Sequence, residues 1–288
     1  MNFETIKVEI DGRLGRLTLN RPERLNAMNA TMLRELVEAA RWFDERREAR
    51  VVIVSGAGRA FCAGADLKES PAMEALPDSG KSWLHRREAA QYGRRMADAI
   101  EQMRATTIIR LHGHVVGGGV ALATACDLRV AAEDARFSIP EIELGIPLIW
   151  GAIPRLVREI GPAMTKELVM TCRPFTPHEA KEMGFVNRVA PFDELDQCVE
   201  RLAAEIIAKP SVPVVITKEH VNAVARAMSA GLTAFADGEA LISALADPES
   251  LQARKDYTAR RLNKRSEADE RDDASSGLVT SHPIPSNQ

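Results

Sequence analysis

Two features of the chain, taken together, can do chemistry at a carbon atom. One is Gly117-Gly118-Gly119, placed between a strand-like run and the Ala-rich run from Val120 to Ala125. Glycines at such a junction let a ligand approach the backbone. The first N–H groups of a helix also lack partners within it and sit at the positive end of its dipole. The other feature is Glu141, at the end of Phe137-Ser138-Ile139-Pro140-Glu141. A carboxylate takes a proton from carbon, and backbone amides hold the negative charge that develops, which is the minimum equipment for an enolate. Each feature alone has a plainer reading. Three glycines also suit a tight turn with close backbone packing, and an acid after a proline is ordinarily an exposed one. A phosphate loop fits less well, because no Lys-Ser or Lys-Thr follows the glycines.

Other reactive side chains are weaker candidates. His112 and His114 flank Gly113 just before the glycines and are of a type that can exchange protons near neutral pH, but a histidine in a strand is more often packed or hydrogen-bonded. Glu143 reads as a solvated or ion-paired neighbour of Glu141, and Cys62 has no base partner in the sequence. The four cysteines show no paired spacing, so neither a zinc site nor a disulfide framework is expected, and no metal site. The 38 basic and 41 acidic residues nearly cancel, which gives a nucleic-acid partner no electrostatic support. No apolar run is long enough to span a bilayer and no signal peptide opens the chain, so a cytoplasmic protein is expected.

The elements that must position these groups alternate strand and helix. Thr5–Ile10 and Gly15–Asn20 alternate apolar and polar residues about Asp11-Gly12, the pattern of a hairpin. Asn29 or Thr31 caps a helix to about Glu48, with Met32, Leu33, Leu36, Val37, Ala40 and Phe43 on one face. Val51–Ser55 reads as a buried strand. The stretch 69–80 reads as a loop, Trp83–Arg104 as a helix, and Ile108–Leu111 and Leu128–Ala131 as short strands. From about Asp193 the chain turns helical: Leu195–Ala208, Pro213–Met228 and Leu232–Leu245. The charged, Ser- and Pro-containing end reads as a disordered tail.

Four segments then carry a resemblance: Arg21-Pro22-Glu23-Arg24-Leu25-Asn26-Ala27-Met28, Ala60-Phe61-Cys62-Ala63-Gly64-Ala65-Asp66-Leu67-Lys68, the triple glycine, and Phe137–Glu141. In order and spacing they resemble the enoyl-CoA hydratase/isomerase (crotonase) superfamily, over roughly Thr5 to Arg261. The resemblance implies an α/β fold, a crotonase-like spiral of ββα units with a C-terminal α-helical region. Its divisions would be a core over 1–195 with the acyl-CoA site, a trimerisation region over 196–262, and a tail over 263–288. It also implies an acyl-CoA substrate, no cofactor apart from the coenzyme A of that substrate, and a homotrimer or hexamer. The backbone N–H groups of Ala65 and Gly118 would form the oxyanion hole, each donor worth about 3 kcal/mol in the transition state. Ala63, Ala65, Asp66, Leu67 and Lys68 would contact CoA, with Arg24 and Lys68 near its phosphates. Tyr257, Arg260 and Arg261 align with a segment that closes near the acyl site.

The chain also departs from that family. Hydratases usually carry two catalytic glutamates, and the position of the second is Ala121 here. The loop after Glu141, Leu144-Gly145-Ile146-Pro147-Leu148-Ile149-Trp150-Gly151, is more apolar than a water-binding loop. Trp150 reads equally as core packing or as a wall of a dry pocket that raises the pKa of Glu141. One carboxylate with an oxyanion hole suffices to move a double bond, so isomerisation of a 3-enoyl-CoA is expected, with Glu141 as acid and base. Hydration with an unidentified second acid, and non-catalytic acyl-CoA binding, are the alternatives.

Overall fold

The structure is a computed structural model that describes residues 2–69, 74–228 and 236–260. Its chain opens with the expected hairpin: β1 (Ile6–Asp11) pairs antiparallel with β2 (Leu14–Leu19). Every later pairing in the large sheet is parallel, through β3 (Val51–Gly56), β4 (Thr106–Leu111), β6 (Leu128–Ala132) and β8 (Arg188–Ala190). The spatial order is β1-β2-β3-β4-β6-β8. Parallel neighbours require crossovers, and each crossover here carries a second short strand and then a helix.

Those second strands line up with one another. Met28 bridges Ala65, Cys62 bridges Val115, and β5 (His114–Val116) pairs parallel with β7 (Arg136–Ser138). The helices after them are α1 (Ala30–Glu45), then α2 (Trp83–Ala90) with α3 (Tyr92–Gln102), then α4 (Gly118–Ala125), then α5 (Ala152–Thr171). Strand, short strand, helix therefore recurs around the spiral. A short helix α6 (Pro177–Glu182) precedes β8, and α7 (Leu195–Ile207), α8 (Ser211–Met228), α9 (Asp237–Ala246) and helical residues 248–260 complete the described chain.

The run Val51-Val52-Ile53-Val54 is buried on both faces, as a central parallel strand should be. Val52 and Val54 join the main core with Met32, Leu36 and Phe43 of α1, while Val51 and Ile53 face Leu195, Val199 and Leu202 of α7. Thus α7 covers the sheet face opposite α1.

Asn29 is the N-cap of α1, its side chain accepting from the Met32 N–H at 2.9 Å. The expected helix over Trp83–Arg104 is two helices broken at Gln91. The Gln91 N–H donates to Glu88 O, an i−3 bond that ends the first ladder. The Gln91 carboxamide then accepts from Arg94 Nε at 2.7 Å in the first turn of the next helix. Of the expected helix Leu232–Leu245, the described part begins at Asp237, and the expected tail over 263–288 lies outside the described residues. No helix among the described residues is long and apolar enough to cross a membrane.

Candidate active site

The oxyanion-hole candidates come together where two loops lie side by side. The Met28 N–H donates to Gly64 O at 2.8 Å, and the Asp66 N–H donates to Met28 O at 2.9 Å. Residues on either side of Ala65 thus bond to the first segment, which turns the Ala65 N–H toward the other edge. On that edge Cys62 exchanges bonds with His114 and Val116, both at 3.0 Å. Gly64, at φ +94°, lets the loop pass so closely that a Cβ there would lie 3.1 Å from Val116 O and 3.8 Å from Gly118 N. Gly118 is the first residue of α4, where an N–H has no intrahelical acceptor.

Glu141 arrives from the next turn of the spiral. The Gly117 N–H donates to Ser138 O at 2.9 Å, tying the triple glycine to β7 and so to the turn that follows it. The Glu141 carboxylate rests directly against Gly117: a Cβ there would lie 2.3 Å from Glu141 Oε1. Glu141 is buried, and its Oε2 makes no hydrogen bond. Burial pushes its carboxyl from the ordinary 4.5 up to about 7, against a smaller lowering by its own backbone N–H.

The carboxylate faces an apolar chamber of about 50 Å³ that Ala65, Gly118, Ala121 and Trp150 also line. Leu148, Ile149 and Ile146 from the loop after Glu141, Ala89, Ala90 and Gly93 from α2 and α3, and Leu241 from α9 complete its walls. Among the described residues lining it, Glu141 is the sole ionisable group. Ala121 is buried against the chamber and adds no carboxylate. Trp150, whose sequence reading was evenly divided, lies with its indole on the chamber wall.

The loop from Ala63 to Lys68 is held by a residue that sequence reasoning quoted but gave no role. Arg21 is buried, and its guanidinium donates to Ala27 O at 2.6 Å, Asp66 Oδ2 at 2.9 Å and Glu69 Oε2 at 3.2 Å. The other Asp66 oxygen accepts from the Lys68 and Glu69 N–H groups at 3.0 and 3.2 Å. Burial alone would raise the Asp66 carboxyl; the Lys68 amide, Arg21 and the Glu69 amide outweigh it and hold it below the usual carboxylate range. The Asp66 carboxylate is therefore committed to shaping the loop. Leu67, Lys68 and Arg24 are exposed, and Ala63 donates its N–H to Leu25 O at 2.9 Å.

The remaining candidates fall outside the chamber. His112 is buried, bonded to Gly58 O at 2.9 Å and to Arg110 at 2.8 Å, a structural histidine whose pKa burial lowers. His114 and Glu143 are exposed. Cys62 is a buried thiol donating to Asn26 O at 3.1 Å, and burial pushes it up to about 12, so it is no nucleophile. Tyr257 and Arg260 lie in the helical residues 248–260, and Arg261 is outside the described residues. Sequence reasoning missed Gly93 and Leu241. A lone glycine near a helix start and a leucine far along the chain from the glycines carry no local mark of a shared pocket.

A sequence profile described as Enoyl-CoA hydratase/isomerase matches residues 9–261. A Rhizobium meliloti protein named "Probable enoyl-CoA hydratase" is 38% identical over 228 residues, covering 77% of this chain and 82% of that one. An Arabidopsis thaliana protein named "Delta(3,5)-Delta(2,4)-dienoyl-CoA isomerase, peroxisomal" is 37% identical over 223 residues, covering 75% and 80%. The crystal structure of an enoyl-CoA hydratase/isomerase from Xanthobacter autotrophicus Py2 superposes with a TM-score of 0.81 at 29% identity, covering 95% of this chain and 99% of that one.

Proposed function

Because the chain belongs to the enoyl-CoA hydratase/isomerase family, we propose that it moves a double bond in an enoyl-CoA thioester, with Glu141 as the single acid and base. The observation that carries this is the chamber itself: one carboxylate, no second ionisable group among its described lining residues, and Ala121 where a second glutamate would stand. The thioester oxygen of a 3-enoyl-CoA accepts hydrogen bonds from the Ala65 and Gly118 N–H groups. Glu141 takes a proton from C2, the electrons spread over a dienolate, and the protonated Glu141 returns the proton at C4. The product is the conjugated 2-enoyl-CoA, and Glu141 ends as it began. A carboxyl with a pKa near 7 is matched to both halves of this transfer. No cofactor enters, since coenzyme A is part of the substrate. The loop Ala63–Lys68, with Arg24, is where the CoA portion would bind.

Hydration of a 2-enoyl-CoA is the second reading, favoured by the Rhizobium meliloti relative's name. It requires a second acid from outside the described chamber. The two separate on offering the protein a 3-enoyl-CoA and a 2-enoyl-CoA and following the absorbance of the conjugated thioester. Isomerisation makes absorbance appear from the first and leaves the second nearly unchanged. Hydration makes it disappear from the second. The Glu141→Gln variant should lose about 10²- to 10⁴-fold in turnover while still binding CoA esters. An unchanged rate in that variant removes Glu141 from the chemistry, and silence of the wild-type protein on both substrates leaves acyl-CoA binding without turnover.

A further inference from the structure

The indole of Trp150 fills a slot that two helices leave open for it. A Cβ at Gly93 of α3 would lie 2.1 Å from the pyrrole-ring atoms of Trp150, and a Cβ at Gly118 of α4 would lie 2.3 Å from Cζ3 of its benzene ring. The ring thus lies against both glycines and reaches from one helix to the other along the chamber wall. Trp150 itself sits at φ +64°, a conformation that a bulky L-residue adopts only when its surroundings impose it. The imposing contacts are visible. Gly151, also left-handed, donates its N–H to Asp237 Oδ2 at 2.7 Å, and its carbonyl accepts from Arg155 at 3.1 Å. Arg155 is buried and fixed in turn by Asp98 at 3.0 Å and Glu101 at 2.9 Å. An aromatic ring on a clamped turn is a wall.

We propose that Trp150 limits acyl-chain length, confining the substrates of this protein to short enoyl groups. This rests on the reading of the chamber as the acyl end of an acyl-CoA site. The chamber measures about 50 Å³, against roughly 300–1,000 Å³ for pockets that take drug-sized ligands. With the thioester oxygen at Ala65 and Gly118 and the reacting carbons beside Glu141, an acyl group that enters the chamber lies alongside the indole held between Gly93 and Gly118.

The test measures binding without chemistry, so it does not depend on which reaction occurs. Saturated butanoyl-, hexanoyl-, octanoyl- and decanoyl-CoA are titrated calorimetrically into the wild-type protein, Trp150→Ala and Trp150→Phe. Wild type should lose affinity beyond hexanoyl. In Trp150→Ala, octanoyl and decanoyl should bind at least about tenfold tighter than in wild type, since each newly buried methylene is worth about fourfold. Trp150→Phe, which keeps an aromatic ring in the slot, should extend the tolerated length by a smaller step and decides the matter if the alanine variant does not fold. A wild-type affinity that rises steadily to decanoyl, or variants that follow the wild-type profile, overturns the proposal. If the length shift appears while no enoyl-CoA is turned over, the wall stands and the isomerase reading fails. If isomerisation proceeds with no length shift, the reverse holds.

Discussion

In the proposed isomerisation Glu141 has two jobs that pull its protonation in opposite directions, and its burial would balance them. As a base it must be ionised, and as the donor at C4 it must hold a proton it will release. A carboxyl held near 7 lies between these demands at neutral pH. The rate on a 3-enoyl-CoA should therefore rise with pH through about 7, because protonated Glu141 cannot accept the first proton. A profile already flat from pH 5 upward would show the carboxyl is not so perturbed. Stability moves the other way. Folding raises this pKa, so the folded chain binds more protons than the unfolded one between about pH 4.5 and 7, and its stability falls as pH rises across that window. Chemical denaturation of wild type and Glu141→Gln at pH 5 and pH 8 should show the variant gaining on wild type at the higher pH. At this scale the motifs of the resemblance pointed to Glu141, Gly118 and Ala121, and the structure brings all three to the lining of one chamber. It did not reveal Arg21 as the clamp of the Ala65 loop, since nothing local distinguishes a buried arginine from a solvated one.

Among the elements, the join between α9 and α5 governs how firmly Trp150 is held. Helix α5 follows its N-cap Gly151, and the carboxylate of Asp237 from α9 accepts from the Gly151 N–H at 2.7 Å, tying the two elements together. Asp237→Ala should lower stability by about 1–2 kcal/mol, read as a fall of roughly 2–6 °C in Tm. Asp237→Asn, which keeps an acceptor oxygen, should lose less. Equal losses in the two variants would mean that the bond to Gly151 contributes nothing. This join was invisible in the sequence because its partners lie far apart and neither belongs to a motif. The hairpin of β1 and β2, the Asn29 cap and the buried run of β3 were legible, since each is written in alternation, a capping side chain or continuous apolar residues. The three-residue strands β5, β7 and β8 were not. They are too short for periodicity to mark them, and distant partners such as Cys62 for β5 and Val130 for β8 fix them instead. The break at Gln91 escaped for a similar reason, because the apolar pattern of Trp83–Arg104 continues across it.

For the whole molecule the unusual element is α8, which docks by its polar side. Lys218 Nζ reaches Asp127 at 2.7 Å and Ala105 O at 2.8 Å, and Asn222 and Arg226 meet Glu101 from the same face. Residues 218, 222 and 226 form one stripe by their four-residue spacing. Val212, Ile216, Val224 and Met228 form another, offset by two residues and hence on the opposite side, and all are exposed together with Val221. An apolar stripe turned outward on a helix with polar anchors is unfavourable for a lone chain in water. We propose that association of copies through this face, in the homotrimer or hexamer expected from the resemblance, would remove that cost. Val224→Asp places a charge in the stripe without touching the anchors. Light scattering on the eluting protein should show wild type at a multiple of the chain mass and Val224→Asp reduced toward a single chain, with the far-ultraviolet dichroism unchanged. A wild-type protein that already elutes as a single chain would leave the stripe without the partner proposed for it. An unaltered multiple in the variant would place the contact on another face.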